Sequence, residues 1–223
     1  MIELYFWPTP NGWKVSIALE EFGLPYQTHL VDISAGDQHT DAFLAISPNG
    51  KMPAIVDPDG PDSAPIAIFE SGAITEYLCE REGAFGRAPG EAERVDWLEW
   101  LHFGETIGQH LANLTQHHIA LREPWMRSET VMRLEAKRLE KALAVVEAGL
   151  GAHDWLLAGG FSAVDCVVGY SALLSRRFVR FDDLPRVAGW LARCEARPAY
   201  QRAANRDGAP QIYREDFYEP PGG

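Results

Sequence analysis

The stretch from Ser47 to Ala73 constrains the fold more than any other part of the chain. It contains two short apolar runs, 54–56 and 66–69, on either side of the turn sequence Asp57-Pro58-Asp59-Gly60. This composition predicts a β-hairpin. Pro53 fits the start of the first strand, because proline has no N–H to donate to a neighbouring strand.

A helix is predicted to begin directly after this hairpin, at Glu70-Ser71-Gly72. The first turn of a helix has unpaired N–H groups and a partial positive charge, which attract a carboxylate. Nearby, the strand start at Met52-Pro53 offers backbone groups to an extended ligand. Together, the two features predict a binding site for a short, peptide-like, acidic molecule.

The residues before the hairpin complete an α/β domain. A buried strand is predicted over 2–7, an amphipathic helix over 15–22 and a second strand over 26–31, and residues 42–46 allow a short helix. The helix at 15–22 joins the strand at 2–7 to the strand at 26–31 through a short connection. Such a crossover makes the two strands parallel. The order βαβ-α-ββα is complete by about Glu82.

The rest of the chain is helical in pattern. Residues 83–90 contain three glycines and a proline, and they predict a linker between an α/β domain at 1–82 and an all-helical domain at 91–207. Residues 208–223 form a tail that either docks as an extended arm or stays mobile. Within the helical domain, Ser162-Ala163-Val164-Asp165 predicts a capping box at the start of a buried central helix.

Composition excludes several classes of partner. The formal net charge of −12 argues against nucleic acid and against anionic membrane surfaces. The three cysteines, Cys79, Cys166 and Cys194, are far apart and lie in apolar patterns, which predicts core residues in a reducing cytosol. No secretion signal and no membrane-length apolar run are present. We therefore expect a soluble, cytoplasmic protein.

Four sequence motifs resemble the glutathione transferase superfamily, in the branch of the bacterial nu-class enzymes and the fungal nitrogen regulator. They are T-P-N-G-W-K-V-S-I-A-L-E-E from Thr9, I-S-P-N-G-K-M-P-A-I-V-D from Ile46, F-E-S-G-A-I from Phe69 and F-S-A-V-D from Phe161. The resemblance implies the cytosolic glutathione transferase fold, with a thioredoxin-like N-terminal α/β domain followed by an all-α C-terminal domain. It also implies a homodimer.

The resemblance implies how glutathione is held. Pro53 matches the family's cis-proline, beside which the Met52 backbone pairs with the cysteinyl unit. Glu70 and Ser71 match the pair that binds the γ-glutamyl end. The Glu70 carboxylate takes the ammonium group, and the Ser71 hydroxyl and N–H take the carboxylate. By themselves these residues also fit a surface acid, a helix cap and an ordinary proline.

Two cations are expected at the same ligand. Lys51 lies where a cation would meet the glycyl carboxylate, although a turn lysine is normally solvated. Arg133 matches a family arginine that reaches glutathione, and Arg127 and Arg138 remain alternatives to it. The histidines at 110, 117 and 118 lack acidic or cysteine partners at ligand spacing, so no metal site is predicted.

Thr9 and Asn11 are the candidate catalytic residues. Glutathione reacts as a thiolate, and a free thiol with a pKa near ~8.5 is mostly protonated at neutral pH. A hydroxyl, an amide N–H and the positive end of the first helix would each stabilise the thiolate. Tyr5 precedes this loop inside a strand, which disfavours a tyrosine-based mechanism. Both candidates are also common helix caps.

The predicted activity is glutathione transfer to a small electrophile, or reduction of disulfides or peroxides with two glutathiones. One alternative is an isomerase or dehalogenase that uses glutathione without net consumption. The other is a non-catalytic regulatory protein on the same fold. The regulator of this branch has alanine at the Thr9 position, so Thr9 favours an enzyme.

Overall fold

The structure is a computed structural model of the 223-residue chain, and it describes residues 1–205 and 210–219. Its contacts divide the chain into two compact units. The first unit consists of Met1–Gly86 and Arg197–Pro210, and the second of Arg87–Ala196 and Gln211–Gly223. The domain limits 1–82, 83–90, 91–207 and 208–223 stay a prediction, and the boundary at 207/208 lies outside the described residues.

The first unit is built on a four-stranded sheet. Its strands are β1 (Ile2–Phe6), β2 (Tyr26–Leu30), β3 (Ala54–Asp57) and β4 (Ile66–Phe69), and its helices are α1 (Gly12–Phe22), α2 (Asp41–Leu44), α3 (Ser71–Glu82) and α8 (Pro198–Ala204). The strand order is β2-β1-β3-β4, with β1 parallel to β2 and β3 antiparallel to both of its neighbours. This confirms the predicted order βαβ-α-ββα.

Apolar residues cover both faces of the sheet. On one face, alternate residues of β1 are buried with residues of α1 and α3; they are Ile2, Leu4, Phe6, Val15, Leu19, Ile74 and Leu78. On the other face, Phe43 of α2 packs with Val31 and Ala54, and Met52 contacts this cluster. The sheet is therefore fixed from both sides, and the loops at its ends start from a rigid support.

Helix α8 was not predicted, because Arg197-Pro198 was interpreted only as the end of the preceding helix. Pro198 is the first residue of α8, a position where the missing N–H costs nothing. The Arg197 guanidinium binds both carboxylate oxygens of Glu21 on α1, at 2.6 and 2.7 Å. A charged contact thus joins α8 to α1 within the first unit.

The second unit is helical. Its helices are α4 (Arg94–Thr115), which continues into a π-helical turn at Gln116–Ala120, α5 (Glu129–Leu150), α6 (Ala163–Ser175) and α7 (Pro185–Glu195). Helix α6 is buried along almost its whole length, as predicted. The buried Asp165 carboxylate accepts hydrogen bonds from the Ser162 N–H at 2.9 Å and the Trp190 indole N–H at 2.9 Å.

Gly104 of α4 lies against helix α6. A Cβ atom added to Gly104 would lie 2.5 Å from Cγ1 of Val167 on α6. Glycine at this position therefore allows the close approach of two helices. In the part of the chain that is described, no helix combines the length and apolar character needed to cross a bilayer.

Candidate active site

Three strand ends meet at one edge of the sheet. Tyr5 near the end of β1 pairs with Ala54 at the start of β3, and Ala54 pairs with Phe69 at the end of β4. Because adjacent strands are about 4.8 Å apart, the segments that extend from these ends begin close together. Those segments carry all but one of the predicted site residues, namely Thr9, Asn11, Lys51, Met52, Pro53, Glu70 and Ser71.

The loop after β1 is tightly folded around Thr9. The Thr9 N–H donates to the Trp7 carbonyl at 2.7 Å, and Thr9 Oγ1 accepts from the Gly12 N–H at 3.3 Å. A Cβ at Gly12 would lie 2.2 Å from the Trp7 carbonyl oxygen, so this turn requires glycine. The Thr9 hydroxyl is 3.5 Å from the same carbonyl, too far for a strong bond, which leaves its hydrogen available to a ligand.

Asn11 precedes α1 but does not cap it. It occupies the N-cap position with φ −92° and ψ −27°, and its side chain makes no capping hydrogen bond. Its amide oxygen is buried and has no partner among the described residues. A buried amide oxygen without a partner is costly, so this oxygen is a candidate to accept a hydrogen bond from a ligand.

Tyr5 is engaged elsewhere. Its hydroxyl donates to the Glu3 carboxylate at 3.1 Å, two residues back along β1 and away from the edge where the loops meet. Burial, together with the hydrogen bond to Glu3, raises the pKa of Tyr5. Both observations disfavour Tyr5 as the residue that stabilises a thiolate.

The segment before β3 presents an open stretch of backbone. The Ser47 hydroxyl donates to the Lys51 carbonyl at 2.8 Å, and the Gly50 N–H donates to the Ser47 carbonyl at 2.8 Å. The Met52–Pro53 peptide bond is cis, as the resemblance implies. Among residues 1–205 and 210–219, none forms a hydrogen bond with the Met52 backbone, which can therefore pair with an extended ligand.

Glu70 and Ser71 lie at the start of α3. Glu70 has φ +73° and ψ 121°, an unusual backbone conformation for a residue other than glycine. Ser71 is buried, and its carbonyl accepts from the buried Thr75 hydroxyl at 2.8 Å. Glu70 is exposed. The strained residue thus presents an exposed carboxylate immediately beside the start of α3.

Two helix N-termini and a lysine lie at this edge beside Glu70. Helix α1, of 11 residues, and helix α3, of 12 residues, both begin there, and neither has an acidic residue in its first turn. Their N-terminal dipole ends favour anions, and the exposed Lys51 adds a cation. The arrangement suits a ligand with a carboxylate and a thiolate.

Gln38 joins the candidate residues on structural grounds alone. It lies in a 3-10 turn, Asp37–His39, in the segment that follows β2 at the same edge of the sheet. Its amide oxygen is buried without a partner in the described parts of the chain. A Cβ at Gly50 would lie 3.0 Å from the Gln38 carbonyl oxygen, so the two loops touch. No periodic pattern or motif in the sequence points to this residue.

The structure separates the three arginine alternatives. The Arg127 guanidinium binds the carbonyls of Leu121 and Arg122, at 2.9 and 3.3 Å, and Arg138 binds Glu135 at 2.6 Å. Arg133 is exposed on α5 in the second unit, and its side chain pairs with no other described residue. Its role toward glutathione stays a prediction, as do the roles of the other site residues.

Metal ligands are not gathered in the described residues, which contain no group of three or more His, Cys, Asp or Glu side chains that could hold an ion. The three cysteines are free thiols, and all are buried.

Comparison with known proteins identifies the family. Residues 9–81 match the family model described as the glutathione S-transferase N-terminal domain. The chain is 35% identical over 211 residues to the disulfide-bond oxidoreductase YfcG of Escherichia coli strain K12, covering 91% of this chain and 94% of that one. The chain belongs to the glutathione transferase superfamily.

Solved structures support the assignment of the chain to this superfamily. A glutathione transferase family member from Pseudomonas fluorescens, with two glutathiones bound, has a TM-score of 0.82 and 34% identity and covers 91% of each chain. A glutathione transferase from Pseudomonas putida, with one glutathione disulfide per subunit, has a TM-score of 0.83 and 33% identity, covering 93% of this chain and 92% of that one. The predicted family and the predicted two-part fold are thus confirmed. The prediction that the protein is a glutathione transferase is also confirmed.

Proposed function

We propose that this transferase reduces disulfides with two glutathiones, and that Thr9 and Asn11 stabilise the thiolate of the first. The observation that carries this proposal is that the segments bearing the Thr9 hydroxyl, the Met52 backbone and the start of α3 extend from adjacent strand ends, where one glutathione can contact all three. The cysteines of the chain are Cys79, Cys166 and Cys194, all buried in helices α3, α6 and α7. Because these thiols are buried, we expect both thiols used in disulfide reduction to come from glutathione.

The names of similar proteins support this choice. YfcG is named a disulfide-bond oxidoreductase, and the two Pseudomonas structures contain two glutathiones or one glutathione disulfide. Glutathione disulfide is the product of such a reaction. Peroxide reduction and conjugation to an electrophile use the same thiolate, and they are the other outcomes of the test below.

The reaction balances with two glutathiones. The first thiolate attacks one sulfur of the disulfide, forms a mixed disulfide and releases one substrate thiolate. The second glutathione thiolate attacks the glutathione sulfur of the mixed disulfide, forms glutathione disulfide and releases the second substrate thiolate. The protons lost by the two glutathione thiols end on the two product thiols.

Different residues of the first unit bind different parts of glutathione. The Met52 backbone holds the cysteinyl unit, and the start of α3 at Ser71 holds the γ-glutamyl carboxylate, with the Glu70 carboxylate on the ammonium group. The Thr9 hydroxyl and the start of α1 stabilise the negative sulfur and so lower the pKa of the bound thiol. No strong base is required, because solvent accepts the proton.

A stoichiometric assay tests this function. Purified protein is supplied with glutathione and 2-hydroxyethyl disulfide, and in parallel with an aromatic chloride as electrophile. We expect one glutathione disulfide formed for each disulfide reduced, and two glutathiones bound per chain by isothermal titration calorimetry. Conjugation without disulfide reduction, with one glutathione bound, would contradict the proposal. Turnover without glutathione consumption would indicate an isomerase.

We further propose that the protein acts as a homodimer in the cytoplasm. Large apolar side chains are exposed on both units, including Phe69 at 40%, Val95 at 68% and Trp125 at 78%. Three free, buried thiols suit a reducing compartment. Light scattering should give twice the chain mass of 24.8 kDa, and a single chain mass at micromolar concentration would refute the dimer.

A further inference from the structure

Ser47 connects the loop before β3 to the core of the first unit. The residue is 1% exposed, and its N–H donates to the Phe43 carbonyl at 2.8 Å. Its carbonyl accepts from the Gly50 N–H at 2.8 Å, and its hydroxyl donates to the Lys51 carbonyl at 2.8 Å. The N–H, the carbonyl and the hydroxyl of Ser47 are thus all hydrogen-bonded, as buried polar groups are in folded proteins.

Both ends of this loop are attached to one apolar cluster. Phe43, which accepts from the Ser47 N–H, is buried and packs with Val31 and Ala54. The Met52 side chain contacts the same cluster. Because a close-packed core permits little displacement, the loop between Ser47 and Met52 is held in one position.

The Ser47 hydroxyl binds the peptide group that carries the Met52 N–H. The Lys51 carbonyl and the Met52 N–H belong to one planar peptide unit. In the part of the chain that the structure describes, the only cis peptide bond is Met52–Pro53, so the Lys51–Met52 bond is trans. In a trans peptide the N–H points away from the C=O, on the opposite side of the bond. The hydrogen bond from Ser47 therefore fixes the direction of the Met52 N–H.

The Met52 N–H is the donor that an extended ligand needs. It has no hydrogen-bond partner among the described residues. A ligand that pairs with it in the manner of a strand must offer a backbone carbonyl, and in glutathione this is the carbonyl of the cysteinyl unit. A hydrogen bond to the carbonyl of a peptide also polarises that peptide, which makes its N–H a stronger donor.

We propose that Ser47 is a positioning residue for glutathione, which directs the Met52 N–H at the cysteinyl carbonyl and strengthens it as a donor. The inference rests on the proposed function, because it takes glutathione as the ligand. Ser47 acts through the Lys51–Met52 peptide, since its own hydroxyl is buried and already bonded to the Lys51 carbonyl. Loss of this hydroxyl should therefore weaken the contact to a single ligand atom, the cysteinyl oxygen.

Thr40, at the start of α2, provides a matched control. Its hydroxyl donates to the Asp37 carbonyl at 2.9 Å and accepts from the Phe43 N–H at 3.4 Å. Thr40→Ala therefore removes a bond from a hydroxyl to a carbonyl next to the same α2 segment, and it leaves the Lys51–Met52 peptide intact. This variant measures how much a loosened α2 by itself affects glutathione binding.

Isothermal titration calorimetry on the full chain tests the proposal. Ser47→Ala should bind glutathione about three- to tenfold more weakly than the wild type, as expected for one neutral hydrogen bond, and Thr40→Ala should stay within about twofold. A glutathione analogue with a methylene group in place of the cysteinyl carbonyl has no acceptor for the Met52 N–H. The wild type and Ser47→Ala should bind this analogue equally. An equal loss for both ligands, or an equal loss in Thr40→Ala, would overturn the proposal.

NMR of the ligand-free protein gives a second measurement that needs no glutathione. In Ser47→Ala, the carbonyl carbon signal of Lys51 and the amide nitrogen signal of Met52 should shift, and in Thr40→Ala both should stay in place. Unchanged signals in Ser47→Ala would show that the hydroxyl does not fix this peptide, which refutes the positioning role. Failure of the wild type to bind glutathione would refute the proposed function as well, whereas wild-type binding that Ser47→Ala leaves unchanged would refute only the role of Ser47.

Discussion

The hydroxyl of Tyr77 on α3 donates a 2.7 Å hydrogen bond to the carboxylate of Asp57, which is completely buried at the end of β3. The same carboxylate accepts from the Asp59 N–H at 3.0 Å and lies 3.3 Å from the Arg81 guanidinium. One buried acid thus ties the hairpin turn to the helix that carries Ser71.

Tyr77→Phe should destabilise the protein by about 1–3 kcal/mol, because it leaves a buried carboxylate with one donor fewer. Urea denaturation measures the change. The Asp57→Asn variant and the double variant complete a thermodynamic cycle, and the two substitutions should be strongly non-additive. Additive effects would show that the hydrogen bond does not carry the stabilisation.

Tyr77 should also make the free energy of unfolding depend on pH under alkaline conditions. Burial, followed by the hydrogen bond to Asp57, raises the pKa of Tyr77 from 10.0 to about 12. The unfolded chain therefore loses this proton first. The free energy of unfolding should fall as the pH rises from 10 to 12, and Tyr77→Phe should remove that part of the fall.

The double variant Thr9→Ala/Asn11→Ala should lower kcat by at least about tenfold and change the KM for glutathione by less than about threefold. Both side chains are expected to act on the sulfur and not on the peptide portion of glutathione. The pH profile of kcat/KM should shift toward the free thiol pKa near ~8.5. Wild-type turnover in the double variant would remove both residues from the catalytic assignment.

Ser71→Ala should show the opposite kinetic pattern. Loss of a hydrogen bond to a carboxylate costs about 1.5–3 kcal/mol, which corresponds to roughly a 10–100-fold weaker glutathione affinity. The KM should rise while kcat changes little, because the contact exists before and during the reaction. Ser63→Ala, at an exposed serine of the hairpin turn, is the control. A fall in kcat with unchanged KM would contradict the binding role.

Gly104→Ala should cost about 1–3 kcal/mol of stability, because the new methyl group would overlap Val167 on α6. The same substitution should cost much less in a Val167→Ala background, where space is available. Thermal or urea unfolding of the four proteins measures both costs. Equal costs in the two backgrounds would mean that the helices do not meet at this position.

Much of the fold was predictable because its signals are local. Apolar periodicity and turn composition predicted the βαβ-α-ββα order, and the capping sequence at Ser162 predicted the start of α6. Helix α8 was missed, since Pro198 ends one helix and begins another within two residues. Sequence patterns describe a proline as a boundary without stating what lies beyond it.

Sequence patterns did not identify every candidate residue of the site. The predicted residues of the first unit lie at one edge of its sheet, yet Gln38 was not found from sequence. Its significance comes from a buried amide oxygen without a described partner, and from contact with the loop at Gly50. Burial of a polar atom depends on residues that are distant along the chain, so composition near Gln38 carries no trace of it.

By itself, the sequence determined the elements from β1 to α3, their order and the chemical groups proposed to bind glutathione, because propensity, capping and turn formation act over a few residues. Only the tertiary structure decided that Gly104 contacts Val167, that the Asn11 side chain makes no capping hydrogen bond to α1, and that the Tyr218 ring lies against His118. These outcomes depend on long-range packing, which fixes the neighbours of each side chain and therefore its hydration and protonation.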